Sequence, residues 1–190
     1  MACESLIAYS KECGSISGGV QRLWLLAYKD LGVVEGSNLP YEVGASDEIT
    51  DIAFNDEARF VPVGTIRNTV GISETFTKTV ETGTSEITTE LSLVISQITN
   101  SSRSFVKSLA DGELVALIQL RSGAYIIAGL DGGLEATTIE GGSGTEGGDL
   151  NGYTITFEGV ENELLRLVDE SLITDLIEQP NSGNGGGVEG

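Results

Sequence analysis

A glycine-rich loop runs directly into an alternating strand in the stretch Gly147-Gly148-Asp149-Leu150-Asn151-Gly152-Tyr153-Thr154-Ile155-Thr156-Phe157. Such alternation places successive side chains on opposite faces of a sheet, and glycines allow sharp turns before it. The residue types are those of a structural element. The chain contains no histidine, so the commonest general base and metal ligand is absent. The stretch therefore predicts a β fold and offers no evident catalytic group.

The composition supports one β-rich domain. The 190 residues include 26 glycines but only 3 prolines, and aromatic residues make up 6%. Many possible turns, together with abundant Thr, Val and Ile, favour strands over helices. We predict a mainly β fold, either a β-sandwich or a barrel, with an N-terminal arm at residues 1–19, a single domain at residues 20–178 and a glycine-rich acidic tail at residues 179–190.

The charge is strongly negative and unevenly distributed. The chain carries 29 acids and 10 bases, for a formal net charge of -19. This balance disfavours binding of nucleic acid by neutralising its phosphates. Residues 30–58 carry eight acids and no base, residues 131–190 carry 13 acids and one base, and residues 59–121 carry six of each. Two interpretations stay open: the acidic flanks face a cavity, or they only provide a soluble surface.

The sequence shows no membrane or secretion signal. No apolar run approaches the roughly 20 residues needed to span a bilayer. The N-terminus lacks the basic-then-apolar order of a signal peptide. We therefore expect a soluble protein, made in the cytosol, without membrane contact.

The two cysteines, Cys3 and Cys13, lie near the N-terminus. Without histidine, two thiolates provide only half of a tetrahedral zinc site. Reduced buried thiols and a disulfide are both compatible with the spacing, and the first suits a cytosolic origin. We predict no metal and no cofactor.

The most regular alternation predicts a long hairpin. It has one strand at Ile72–Val80, a turn at residues 81–84 and a second strand at Ile87–Ile98. An isolated hairpin is marginally stable, so this one needs a partner, and a neighbouring subunit is a candidate. The candidate subunit-interface residues are Ile72, Phe76, Val80, Ile87, Leu91, Leu93 and Ile95.

Other segments complete the predicted core. Trp24, within a strand at Val20–Tyr28, is expected to anchor it, and strands at Glu113–Arg121 and Ala124–Leu130 form its centre. Shorter strands are expected at residues 48–54, 59–67 and 134–139. Asn100, Ser101 and Ser102 are candidate N-caps for one short helix ending at Ala110. The run from Leu164 to Ile177 is predicted to be mixed: Leu164–Val168 can prolong the preceding strand, and Leu172–Ile177 has helical spacing with Asp169 as a possible N-cap. The loop Glu140–Gly152 lacks the lysine and the following helix of a phosphate-binding loop.

Three parts of the chain carry a family resemblance: Met1-Ala2-Cys3 with Cys13 and Gly18-Gly19-Val20, the strand–helix–strand order of Ile87–Leu130, and the block Gly148–Phe157. Together they resemble a family of virion structural proteins from tailed phages of Bacteroidetes bacteria, including crAss-like phages. The most specific parts are Gly-Asp-Leu-Asn-Gly-Tyr-Thr and the cysteine spacing. The element order is also similar to tail tube and neck ring proteins, which form stacked rings around a central channel.

The resemblance implies a fold of tail-tube type and a place in the virion tail or neck, assembled in the host cytoplasm. Copies would form homo-oligomeric rings of about six or twelve subunits, beside other neck or tail proteins. A negative channel wall suits double-stranded DNA that must pass without specific binding, because it repels phosphates. The candidate wall acids are Glu74, Glu81, Glu86 and Glu90. Ordinary solvated strand positions are the alternative interpretation of these acids.

Two other functional classes are alternatives to a ring-forming protein. A capsid decoration or head-fibre protein has the same β-rich, acidic character but faces solvent, and it is more often monomeric or trimeric. A glycosidase needs two carboxyl groups in a concave site, and none of the 29 acids has a recognisable catalytic frame. We therefore expect a structural protein and no enzymatic activity.

Overall fold

The computed structural model describes residues 17–177, which form two β-sheets. The arm residues 1–16, with both cysteines, and the tail after Ile177 lie outside the described residues. The elements are β1 (Val20–Ala27), β2 (Tyr41–Val43), β3 (Ile49–Ile52), β4 (Val61–Val63), β5 (Gly71–Thr79), β6 (Thr84–Ser96), α1 (Asn100–Ala110), β7 (Leu114–Leu120), β8 (Tyr125–Ala128), β9 (Glu135–Gly142), β10 (Gly152–Glu161), β11 (Arg166–Val168) and α2 (Ile173–Leu176), with single 3-10 turns at Tyr28–Asp30 and Glu170–Leu172. The prediction of a mainly β fold is confirmed.

The larger sheet has seven strands in the order β2-β3-β11-β8-β7-β1-β4. Its pairs are antiparallel except β3 with β11. Both faces of its central strands are buried: Leu23 and Ile118 point toward the second sheet, whereas Trp24 and Leu117 pack with Phe60 and α2. Burial on both faces explains why these strands are apolar almost throughout. The predicted core centre and the anchoring position of Trp24 are confirmed.

The smaller sheet has four antiparallel strands in the order β5-β6-β10-β9. Leu91, Leu93, Ile155 and Phe157 point from its inner face into a core shared with the larger sheet. Polar residues alternate with them and face outward. The two sheets therefore form two layers over one core, as in a sandwich.

Helix α1 closes one end of this core. Its N-cap is Thr99, whose hydroxyl accepts from the Ser102 N–H at 3.1 Å, while the Ser102 hydroxyl accepts from the Thr99 N–H at 2.9 Å. The predicted cap among residues 100–102 is wrong, because Thr99 is the last extended residue and Ser102 completes a reciprocal cap from the third helical position. Val106 and Leu109 are buried beneath the helix. No helix of residues 17–177 is long and apolar enough to cross a membrane.

Several predicted boundaries need correction. The expected strand at residues 59–67 is reduced to β4, an edge strand that contains Pro62, as the missing N–H of proline requires. β9 continues to Gly142, inside the expected loop. The prediction of a mixed run ending at Ile177 is confirmed, because it contains both β11 and α2. The Asp169 carboxylate accepts from the Ser171 N–H at 2.8 Å and caps the 3-10 turn between them.

Candidate functional site: the hairpin and the outer face of its sheet

The predicted hairpin is present and projects from the smaller sheet. β5 and β6 pair from Gly71 opposite Ser92 to Thr79 opposite Thr84. The Gly83 N–H donates to the Thr79 carbonyl at 2.9 Å and closes the turn. Every residue from 73 to 86 is exposed. The distal half of the hairpin therefore lies outside the core that holds its base.

The seven candidate interface residues divide into two groups. Ile87, Leu91, Leu93 and Ile95 are at most 9% exposed and belong to the protein's own core, and Ile72 packs partly buried against it. The prediction that the four buried side chains contact another subunit is wrong, because β6 crosses the centre of the smaller sheet. Phe76 is 57% exposed and Val80 is 86% exposed. Only these two stay candidates for contact with another molecule.

The four candidate wall acids do not share one face. Glu74 points inward, where its carboxylate accepts from the Leu165 N–H at 2.5 Å. Glu81 lies in the turn. Only Glu86 and Glu90 face outward, because they sit opposite Thr77 and Ser73 on the polar side of β5. The structure thus separates Glu74 and Glu81 from Glu86 and Glu90, and the channel-wall role of these acids stays a prediction.

The outer face instead brings together acids from three strands. Glu90 on β6 lies opposite Glu158 on β10, and Glu158 lies opposite Glu135 on β9. Residues directly opposite one another have Cβ atoms roughly 4.5–5.5 Å apart, and like charges at this spacing are destabilising. Glu140, two residues beyond Thr138 on β9, adds a further acid on the same face. Sequence reasoning missed Glu135, Glu140 and Glu158, because only the strand register brings them together. The alternation of Phe157 and Glu158 was the one available signal, since it indicates that Glu158 faces away from the core.

None of these acids forms an ion pair within residues 17–177. Both ion pairs among residues 17–177 belong to Arg166, which binds Asp47 and Glu163 on another surface. The outward positions of the four strands carry no Lys or Arg; they are mainly Thr, Ser and Glu. A row of carboxylates without ion-pair partners across a sheet favours a function that depends on a negatively charged surface.

Both edges of the smaller sheet are free within residues 17–177. β5 forms one edge and β9 the other, and each pairs with a single neighbouring strand. A free edge exposes N–H and C=O groups that can pair with another strand. Because both edges belong to one sheet, a second copy could continue it from either side.

A second polar cluster joins the two sheets. Glu161, at the end of β10, is 9% exposed, and its two carboxylate oxygens accept from the N–H groups of Gly129 and of Asp131, the latter at 3.3 Å. The Asp131 carboxylate accepts from the Tyr41 hydroxyl at 3.2 Å and from the Asn162 N–H at 3.0 Å. All four oxygens are thus occupied by the protein's own donors. Both carboxylates therefore serve to hold backbone N–H groups and the Tyr41 hydroxyl in place, and neither is free to act as an acid or a base.

The titration of this cluster follows from its burial. Burial raises the pKa of the Glu161 carboxyl; the two backbone donors lower it, and the charges of Asp131 and Glu74 raise it further. The pKa of Tyr41 is raised by burial and then by the adjacent Asp131. Within residues 17–177 no group of three or more acidic side chains is arranged to hold a metal ion.

The glycine-rich block that precedes β10 is also structural. The Asp149 carboxylate accepts from the Glu146 N–H at 2.9 Å and from the Thr145 N–H and hydroxyl at 2.8 and 3.0 Å, and these bonds lower its pKa. At Gly152, a Cβ atom would lie 2.1 Å from the Ile95 carbonyl oxygen. Only glycine permits this approach, so the block sets the start of β10 against β6.

No protein-family model, no curated protein and no solved structure matches the chain.

Proposed function

We propose that this protein is a structural subunit of a tailed-bacteriophage virion whose copies form rings of the tail tube or neck around the passing genome. The observation that carries the proposal is the smaller sheet, which combines two free edges with an acidic outer face. On this proposal the two-layer fold is of tail-tube type, and the protein has no enzymatic activity.

The joint between subunits is formed by strand pairing. β5 of one copy pairs with β9 of the next, so that the smaller sheets of all copies merge into one continuous sheet. Such a contact joins two different surfaces and closes into a ring when the rotation between copies fits. Strand addition at an exposed edge supplies main-chain hydrogen bonds without a large apolar interface. That suits β5, whose residues beyond Ile72 are all exposed.

The wall of the channel is the outer face of this merged sheet. Glu90, Glu135 and Glu158 repeat in each copy and form a negative belt, with Glu86 and Glu140 on either side. Phosphates are repelled from such a belt, so the DNA passes without specific binding. The repulsion among the three glutamates is the structural cost of this surface.

The first experiment measures assembly. Mass measurement and negative-stain images of the purified protein should show discrete multiples of the 19.9 kDa subunit and closed annuli. A persistent monomer or trimer would reject the ring and favour the alternative, a capsid decoration or head-fibre protein.

The second experiment shortens the proposed edge. Phe76 and Ile87 are directly opposite, so an Asn-Gly turn can replace the exposed residues 77–86 without a register shift and without loss of the buried Ile87. We expect this variant to fold as a monomer and to form no rings. The matched control keeps the full length but replaces the exposed residues 78–85 by Gly and Ser, and it should still assemble. Rings formed by the shortened variant would show that the projecting half of β5 is not the joint.

The third experiment reverses the wall charge. The triple variant Glu90→Lys, Glu135→Lys, Glu158→Lys should retain double-stranded DNA at low salt in a mobility-shift assay, whereas the wild-type ring should not. The control reverses three exposed acids elsewhere, Glu35→Lys, Asp51→Lys and Glu57→Lys, and changes the net charge equally. Equal DNA retention by both variants would mean that total charge, not the outer face, sets the behaviour.

A further inference from the structure

A cationic recess lies beside the start of β5. It encloses about 1080 Å³, which is room for a segment of chain rather than for a single ion. Two arginines, Arg67 and Arg121, line it together with neutral residues, some of which carry polar groups, such as Gln21 and Asn68. Within residues 17–177 no acid lines it. In a chain with 29 acids and 10 bases, this recess has the opposite charge balance from the molecule as a whole.

The two arginines of the recess are available to a ligand. Arg121 is half-buried; its guanidinium lies against Gly19 and donates to the side-chain oxygen of Asn68. A guanidinium has five N–H donors, so this bond leaves others for a ligand. Arg67 is exposed, and both ion pairs among residues 17–177 belong to Arg166, so neither arginine has a carboxylate partner there. Because arginine binds carboxylates through two parallel hydrogen bonds, the recess suits an acidic side chain.

The loop between β9 and β10 presents such a side chain. Its two acids have different environments. The Asp149 carboxylate is occupied by the N–H groups of Thr145 and Glu146, and these bonds fold the loop. The Glu146 side chain is exposed and forms no ion pair within residues 17–177. The folded loop therefore holds the Glu146 carboxylate out toward solvent.

Strand register places the recess and this loop at the same end of the smaller sheet. Gly71, the first residue of β5, lies opposite Ser92 on β6. Ser92 lies opposite Thr156 on β10, which in turn lies opposite Thr138 on β9. From Thr138, β9 continues roughly 14 Å to Gly142, where the loop starts. The recess lies past the same level, because its lining includes the residue directly before β5. The recess is therefore at the β5 edge of this end and the loop at the β9 edge.

We infer that the Glu146 carboxylate of a second copy binds between Arg67 and Arg121, at the joint of the proposed ring on which this contact rests. In that joint β9 of one copy lies beside β5 of the next. A rotation about the ring axis leaves heights along the axis unchanged, so for strands that run along it the loop of one copy meets the recess of its neighbour. The contact places opposite charges at the joint between chains that each carry a net charge of -19. This net charge also makes the phosphates of DNA a poorer ligand, because the rest of the chain repels them.

Complementary charge reversal in the full-length chain tests the contact. One variant carries Arg67→Glu with Arg121→Glu, and the other carries Glu146→Arg. Each variant alone places like charges at every joint, so we expect the protein concentration at half-assembly, measured by sedimentation velocity, to rise about a hundredfold or more. An equimolar mixture of the two should assemble at nearly the wild-type concentration. In a ring where the variants alternate, every recess meets a loop of opposite charge.

The controls reverse charge outside the contact. Arg103→Glu with Lys107→Glu, both exposed on α1, matches the first variant in net charge, and Glu35→Arg matches the second. Both controls should assemble like the wild type, and Trp24 fluorescence checks that all variants are folded. If either recess or loop variant assembles like the wild type, or if folded variants stay apart when mixed, the inference is overturned while the wild-type ring stands. A wild type that stays monomeric at every concentration would reject the ring and this contact together.

Discussion

The central strands of the seven-stranded sheet bury residues on both faces, whereas the four-stranded sheet buries one face and leaves the other to solvent. In the first, β1 and β7 are apolar at nearly every position. In the second, β6 and β10 alternate between core residues and Thr, Ser or Glu. Packing on both faces is thus sufficient to explain the apolar sequences of β1 and β7. The smaller sheet carries a polar pattern that packing does not require, and for this reason we place the function there.

The sharpest test of this contrast uses the same substitution in both sheets. Val115 on β7 is 0% exposed and Val160 on β10 is 59% exposed. Val115→Ala should lower the free energy of unfolding by about 2–3 kcal/mol, through lost burial and a cavity. Val160→Ala should change it by less than about 0.5 kcal/mol. Urea unfolding followed by the fluorescence of the buried Trp24 measures both, and equal losses would contradict the contrast.

A second comparison tests backbone contact inside the smaller sheet. Gly152→Ala should destabilise the protein by about 2 kcal/mol, because the new methyl group would overlap the Ile95 carbonyl. Gly142 lies directly opposite Gly152, and a Cβ atom at Gly142 would have no other atom within 4 Å. Gly142→Ala should therefore be neutral to slightly stabilising. Thermal unfolding of the two variants gives the result, and a tolerated Gly152→Ala would refute the close approach.

The connection between the sheets can be tested through Glu161. Glu161→Ala should cost about 1–3 kcal/mol, because it leaves the Gly129 and Asp131 N–H groups without an acceptor. The raised pKa of Glu161 means that the folded protein binds the carboxyl proton more tightly than the unfolded chain does. The part of the free energy of unfolding that comes from this difference therefore falls as the pH rises through the raised pKa.

Relative to Glu161→Gln, the wild type should gain stability as the pH is lowered from 7 toward 4.5, the ordinary value for a glutamate. Glu140→Gln, on the exposed outer face, is the control for this urea-unfolding series. A wild-type stability that rises with pH relative to Glu161→Gln would show that the carboxylate is stabilised in its charged form, contrary to the burial effect.

The smallest expected effect concerns the acidic row. Glu158→Gln removes the central one of three opposed carboxylates and should stabilise the monomer by ~0.5 kcal/mol at low salt. The gain should shrink as added salt screens the repulsion. Glu35→Gln, in an exposed loop, should show neither effect. A loss of stability in Glu158→Gln would indicate that Glu158 has a favourable partner.

Much of the fold was predictable because local patterns specify it. The hairpin, the short helix, the core position of Trp24 and the edge position of Pro62 all follow from alternation, helical spacing and the missing N–H of proline. The candidate site was less predictable. Alternation places Leu91 and Leu93 on one face of β6, but it does not say whether the protein's own core or a neighbour covers that face.

The sequence by itself determined a mainly β, acidic chain without histidine, with one long hairpin and a glycine-rich approach to a strand, because these properties depend on residue type and short-range spacing. Only the tertiary structure decided which strands are neighbours. It buried four of the expected interface residues, separated Glu74 from Glu90, and placed Glu90, Glu158 and Glu135 side by side across three strands. The physical reason is that strand register joins Glu158 to Glu135, 23 positions away in the sequence, and to Glu90, 68 positions away, and no local pattern encodes such pairing.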